Sequence, residues 1–244
     1  MIPSLKNPKL RLERAKEHLD ILHVEIREFL NTKPPSITTE ENTQDGLYIL
    51  RCQIPTIDPR LAIIAGDAVD NLRSVLDHIA WQVALTIGRR PYKRTAFPIV
   101  DENTTKKMRT FDDITKDIPP TAIDKIKAFQ PYHRGTSYKT HPLWILDELC
   151  NINKHRVIPA EGTCVEFKIP KGIVPTFQSA LNNCYIVAMP ISVKAQMQFT
   201  PAPTFDILLG SRIDGLVISI RELTKIYEYI RGEVLPTFVR FFPE

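Results

Sequence analysis

The stretch Asp58-Pro-Arg-Leu-Ala-Ile-Ile-Ala-Gly66-Asp-Ala-Val-Asp-Asn-Leu-Arg-Ser-Val-Leu-Asp-His78-Ile-Ala-Trp81 decides how this chain is read. Asp58 can cap a helix, and Pro59 suits the first helical position because its missing N–H would be unpaired there anyway. Leu61, Ala65, Ala68, Val69, Leu72, Val75, Leu76, Ile79 and Val83 then recur at helical spacing. They form one apolar face of a helix running to Gly88. The opposite side holds Asp67, Asp70, Asn71, Ser74, Asp77, His78 and Trp81, with Arg73 at the boundary. Asp67, Asn71, Ser74 and His78 stand at i, i+4, i+7 and i+11, along one edge. Between Asp67 and Trp81 there is neither Glu nor Lys, although those residues make up most solvated helix faces. Asp, Asn and Ser inside a helix each cost roughly half a kcal/mol against Ala, so their side chains have a use. That use is either a polar network joining this helix to its neighbours or a ligand or catalytic site, with a plain solvated face as the third reading.

Other helices follow from the same spacing. Leu12, Ala15, Leu19, Leu22, Ile26 and Phe29 predict an amphipathic helix over 8–32, stopped at Pro34-Pro35. Helices are also expected over 120–129, 143–154 and 211–234, the last ended by Pro236 ahead of an aromatic tail, Phe238, Phe241 and Phe242. Residues 36–41 and 47–54 predict a hairpin around Asn42 to Gly46. Residues 97–100 read as a short strand. Val165, Phe167 and Ile169 alternate with Glu166 and Lys168, and Val193 to Phe199 alternate in the same way. These predict antiparallel strands with one wet face. The expected fold is a single α+β domain over 1–244: three to four long helices in a bundle, with an antiparallel sheet over about 157–210.

Composition narrows the function. The 244 residues carry 32 basic and 28 acidic side chains, a net charge of +4 that permits a polyanionic partner without demanding one. Nine glycines, with no GxGxxG or GxxxxGK[ST], argue against a phosphate-cradling loop. No GxSxG elbow is present either. Cys52, Cys150, Cys164 and Cys184 are dispersed and expected to be reduced. With no apolar leader and no apolar run of ~18 residues, a cytoplasmic protein with no membrane association is expected. A second polar cluster, Asp147, Asn151, Lys154, His155 and Arg156, follows the 143–154 helix face to its end.

The segment from Gly66 to Trp81, with Asn151-Ile-Asn-Lys-His-Arg156, resembles two signature segments of a large group of uncharacterised bacterial proteins. Within it, Arg73 and His78, separated by four residues, resemble the Arg–His motif of the HEPN superfamily. That resemblance implies a metal-independent ribonuclease of a toxin or phage-defence system. It would act on RNA as a homodimer, with Arg and His of both subunits facing one cleft. On this reading His78 is the acid or base and Arg73 holds the scissile phosphate. Asp77 or Asn71 orients the imidazole, and Lys154, His155 and Arg156, with Asp147 and Asn151 beside them, hold the substrate. No cofactor is then needed. Two alternatives stand beside it. One is a hydrolase using a divalent metal such as zinc, drawn from Asp67, His18, His78 and His155, with His23 also bordering the first helix's apolar stripe. The other is a non-catalytic binding or dimerisation module that uses the sheet and the aromatic tail.

Overall fold

The structure is a computed structural model that describes residues 2–88, 90–102, 104–166, 176–180, 184–192, 204–211 and 215–242. Helix α1 (Lys6–Thr32) and helix α2 (Pro59–Leu85) form the largest helix pair, closed by the aliphatic residues read from the sequence. Asp58 caps α2 as its identity suggests, accepting from Arg60 N, and Pro59 opens the first turn. The small residues Ala65, Ala68 and Ala80 are fully buried, letting neighbouring helices approach closely. Helix α5 (Pro142–His155) packs on α2 from the other side.

Between α2 and α5 the chain forms α3 (Thr105–Thr115), α4 (Pro120–Ala128) and a 3₁₀ segment (Pro131–Thr140). Helix α3 is not among the helices expected from the sequence. Its signals are Thr104, whose hydroxyl accepts from Lys107 N, and an inward stripe that includes Phe111 and Thr115. The expected strand over 97–100 does not form. Phe97 N donates to Asp77 Oδ1 (3.1 Å), and Phe97 O accepts from Arg73 Nη2 (2.9 Å). Buried Gln130 donates from Nε2 to Pro98 O (2.9 Å) and accepts at Oε1 from Val100 N (2.8 Å). Side chains therefore take the place of a partner strand, because every buried backbone polar group must find some partner.

Strands β1 (Ser36–Asn42) and β2 (Leu47–Gln53) form the expected hairpin. β2 also pairs antiparallel with β5 (Cys184–Pro190), which pairs with β4 (Thr176–Ala180), giving a four-stranded sheet ordered β1-β2-β5-β4. A second antiparallel sheet, ordered β3-β6-β7, consists of β3 (Ala160–Glu166), β6 (Thr204–Ser211) and β7 (Leu216–Ser219). The hairpin is thus part of a sheet with residues far along the chain rather than a separate ribbon. Residues 167–169 and the alternating run 193–199 lie outside the described residues.

The last helical stretch starts later than its spacing predicts, because 216–219 is strand β7. It then comprises α6 (Ile220–Tyr229), a π-helical turn (Ile230–Val234) and α7 (Leu235–Val239). Pro236 does not end it. Proline is tolerated in a first turn, where its missing N–H is unused, and the π-turn resets the bonding pattern just before it. The aromatic tail is core rather than a free contact surface. Phe238 is fully buried, edge-on to Phe97 at 6.2 Å, and Phe241 and Phe242 pack against the same core. No helix among the described residues is long and apolar enough to cross a membrane.

Candidate functional site

The polar side of α2 divides between two neighbours. Residues five apart on a helix are rotated by about 140°, so Arg73 and His78 leave α2 in different directions. Toward α1, His18 Nδ1 stands 4.0 Å from Asp67 Oδ2, and Arg11 Nη1 donates to Asn71 Oδ1 (3.3 Å). Asn71 Nδ2 donates back to Asp67 O (2.8 Å). His78 lies on this edge, half-buried, and its pKa is lowered from 6.5 by burial first and by the Arg11 guanidinium second. Asp77 works against that shift. The imidazole is therefore mainly neutral at pH 7.

Toward α5 the contacts tie the two resemblance segments together. A Cβ at Gly66 would run into Asn153 Oδ1, so the bare glycine leaves the space that the Asn153 amide occupies. Asn153 Nδ2 donates to Asp70 Oδ2 (3.0 Å), and Cys150 Sγ donates to Asp70 Oδ1 (3.8 Å). One turn on, Arg73 Nη2 is 3.2 Å from Asp77 Oδ1, and its Nε is 3.8 Å from Asp147 Oδ1. With the bond to Phe97 O, this guanidinium fastens α2 to the 97–100 segment and α5. Its Nη1 is buried with no acceptor. Asp147 has its pKa raised, chiefly by burial, with Arg73 and Lys154 pulling the other way.

Arg73 and Asp147 also line a cleft of about 600 Å³ between the 96–102 segment, α3 and α5. Trp144 and Phe111 supply aromatic surface, and Glu148 adds a second carboxyl with a raised pKa, again mainly through burial. Lys107 on the rim is paired to Asp101. Neither His78 nor His155 lines this cleft.

The expected site is accordingly brought together only in part. Arg73, Asp77 and Asp147 meet; Asn71 meets Arg11 instead, whose charge also reaches His78, and among the described residues no hydrogen bond or ion pair joins Arg73 to His78. Asn151, Lys154, His155 and Arg156 are exposed at the end of α5, where cations suit the carbonyl end of the helix. For the metal alternative, no three His, Cys, Asp or Glu side chains among the described residues are grouped to hold an ion. Asp67 and His18 meet, but His78 and His155 do not complete a set with them. Elsewhere on the surface Arg94 pairs with Asp113 (3.0 Å), and Lys116 sits over the Tyr92 ring. Among the cysteines, Cys52 and Cys150 are buried; Cys164 and Cys184 fall outside the described side chains.

Sequence reasoning missed Arg11, Gly66 and Asn153. Arg11 looks like an ordinary exposed helix residue, and only its position opposite Asn71 distinguishes it. Asn153 is within the quoted Asn151–Arg156 segment, and its pairing with a glycine on another helix is not a spacing signal. No protein-family model, curated protein or solved structure matches this chain.

Proposed function

We propose that this chain cleaves RNA without a metal ion, using the α2 edge that faces α1. The carrying observation is the Arg11–Asn71–His78 arrangement: a cation from α1 held against Asn71, two turns before a half-buried histidine whose pKa is lowered by burial and by that cation. A neutral imidazole can take the proton from a ribose 2′-OH. The 2′-oxygen then attacks phosphorus, the bond to the 5′-oxygen breaks, and that oxygen leaves with a proton. The products are a 2′,3′-cyclic phosphate and a 5′-hydroxyl. A planar guanidinium suits the phosphate oxygens on which charge develops.

Arg11 takes the role that the motif gives to Arg73, because Arg73 is committed to Asp77, Asp147 and Phe97 O. A homodimer joined across this edge would set two such pairs opposite each other: one neutral imidazole takes the 2′-proton, and the leaving 5′-oxygen takes its proton from the other imidazole when that one is protonated, or from water. The test is labelled RNA with purified protein in EDTA. Wild type should cleave, with a rate that falls on the acid side below pH 6.5. His78→Ala should lose about 10²–10⁴ in rate. Arg11→Gln should both slow cleavage and move the acid limb to higher pH, because the cation that lowers the histidine pKa is gone. Equal cleavage by wild type and His78→Ala, or none by wild type, overturns the proposal.

The cleft beside Arg73 favours a second reading, a binding module for a small ligand. It combines aromatic walls with two carboxyls whose pKa values are raised, a usual signature of a binding site. Its four lining carboxylates outnumber its three cations, so a polyanion is a poor fit there.

A further inference from the structure

A second cavity, of about 250 Å³, lies along the C-terminal half of α1 and is lined by that helix, the segment after β2 and the β3–β6 sheet. His23, Ile26 and Leu30 reach it from one stripe of α1, at i, i+3 and i+7. Ile54, Ile57, Ile207 and Ile220 supply most of the remaining wall. Gly162 forms part of the wall without a side chain, and the Ile54 methyl occupies the space a Cβ would need. Among the described residues the lining is apolar apart from two basic residues, the exposed His23 and Arg221, and it contains no carboxylate. Among the described residues, Arg221 has no hydrogen bond or ion pair, whereas its neighbour Glu222 pairs with Lys225.

We infer that this cavity binds a single-chain alkyl carboxylate, its tail among the isoleucines and its head against Arg221. An apolar chamber edged by Arg221, unpaired among the described residues, satisfies both ends of such a molecule. A neutral apolar ligand would leave the guanidinium unused, and a hydrophilic anion would leave the chamber empty. The cavity's modest volume points to a short or medium chain rather than a long one.

The experiment titrates the full chain with straight-chain carboxylates from hexanoate to dodecanoate, kept below micelle formation, following isoleucine methyl signals by NMR. Binding should be saturable, with Ile26, Ile57 and Ile207 methyls moving together. It should tighten about fourfold per added methylene until the chamber is filled, then level off. Octanoate should bind at least tenfold more tightly than octanol. Arg221→Gln, an exposed substitution, should remove that preference while leaving octanol binding unchanged. Leu30→Trp should block both ligands, with circular dichroism confirming an unchanged helix content. Equal affinity for octanoate and octanol in wild type overturns the inference. So does binding untouched by Leu30→Trp, or binding only to phosphatidylglycerol vesicles and not to the free acids.

Discussion

Gln130 shows how much a single side chain does in this molecule. It is 1% exposed, accepts from Val100 N and donates to both Pro98 O and Ile126 O. Gln130→Leu leaves the donor Val100 N and the acceptor Pro98 O without this partner, each costing roughly 1–3 kcal/mol, while Ile126 O keeps its bond from Phe129 N. We expect a loss of about 3 kcal/mol in urea unfolding, and a loss below ~1 kcal/mol would show that water replaces the amide. Arg73 and His78 should separate by phenotype. Arg73→Ala frees Asp77, Asp147 and Phe97 O and should lower stability by about 2–4 kcal/mol, within the range for breaking a partly buried ion pair and its hydrogen bonds. His78→Ala breaks no hydrogen bond and should leave the urea midpoint nearly unchanged while removing RNA cleavage. An equal midpoint for wild type and Arg73→Ala would refute the fastening role.

At the scale of elements, α5 begins on a histidine. His141 Nδ1 accepts from Leu143 N (3.1 Å), and the ring is buried edge-on to Tyr229. Its pKa is pushed down to about 4, by burial first and by Arg134 and His133 after it. Between about pH 4 and 6.5 the unfolded chain therefore holds a proton at this site that the folded chain does not. The stability this group contributes is complete above 6.5 and is lost as pH falls toward about 4. The total is about 3 kcal/mol, at ~1.4 kcal/mol per pKa unit. His141→Asn keeps a capping acceptor but does not titrate. The difference between wild type and this variant should grow in the variant's favour from pH 7 to pH 4, and a pH-independent difference would count against the linkage.

The α2–α5 contact offers a second test at this scale. Gly66→Ala improves helix propensity by ~1 kcal/mol but displaces Asn153 from Asp70. In an Asn153→Ala background the same change should stabilise by about 1 kcal/mol, whereas in wild type it should not. Additive effects of the two substitutions would show that the helices do not touch here.

Across the whole molecule the apolar core is unevenly shared. The main cluster joins α1, α2, α5, α6 and α7 with the β3-β6-β7 sheet through residues such as Leu19, Leu72, Leu146, Leu209 and Phe238. The four-stranded sheet has its own buried cluster of Leu50, Val187 and Met189. A small cluster of this kind opens at lower free-energy cost than a large one. Amide exchange should therefore be faster in β1 and β2 than in the buried turns of α2, and Leu72→Ala should cost more than Leu50→Ala. Protection of β2 equal to that of α2 would indicate that the two clusters unfold as one.

Helix α2 is legible residue by residue, because cap, first-turn proline and apolar period are local properties and all agree. The hairpin turn, the long first helix, α5 and the mixed α+β class follow from similarly local patterns. What escapes depends on distant partners. Residues 97–100 look like a strand, yet side chains of α2 and Gln130, with Tyr132 N donating to Val100 O, take the place of strand pairing. Helical spacing hides β7, because strand pairing with β6 decides residues 216–219. The candidate site divides for the same reason. A sequence places Arg73 and His78 on one helix and in one motif, and it identifies their chemistry. Which neighbour each one meets is set by where α1 and α5 pack, so only tertiary structure binds Arg73 to Asp147 and brings Arg11 to the edge of His78.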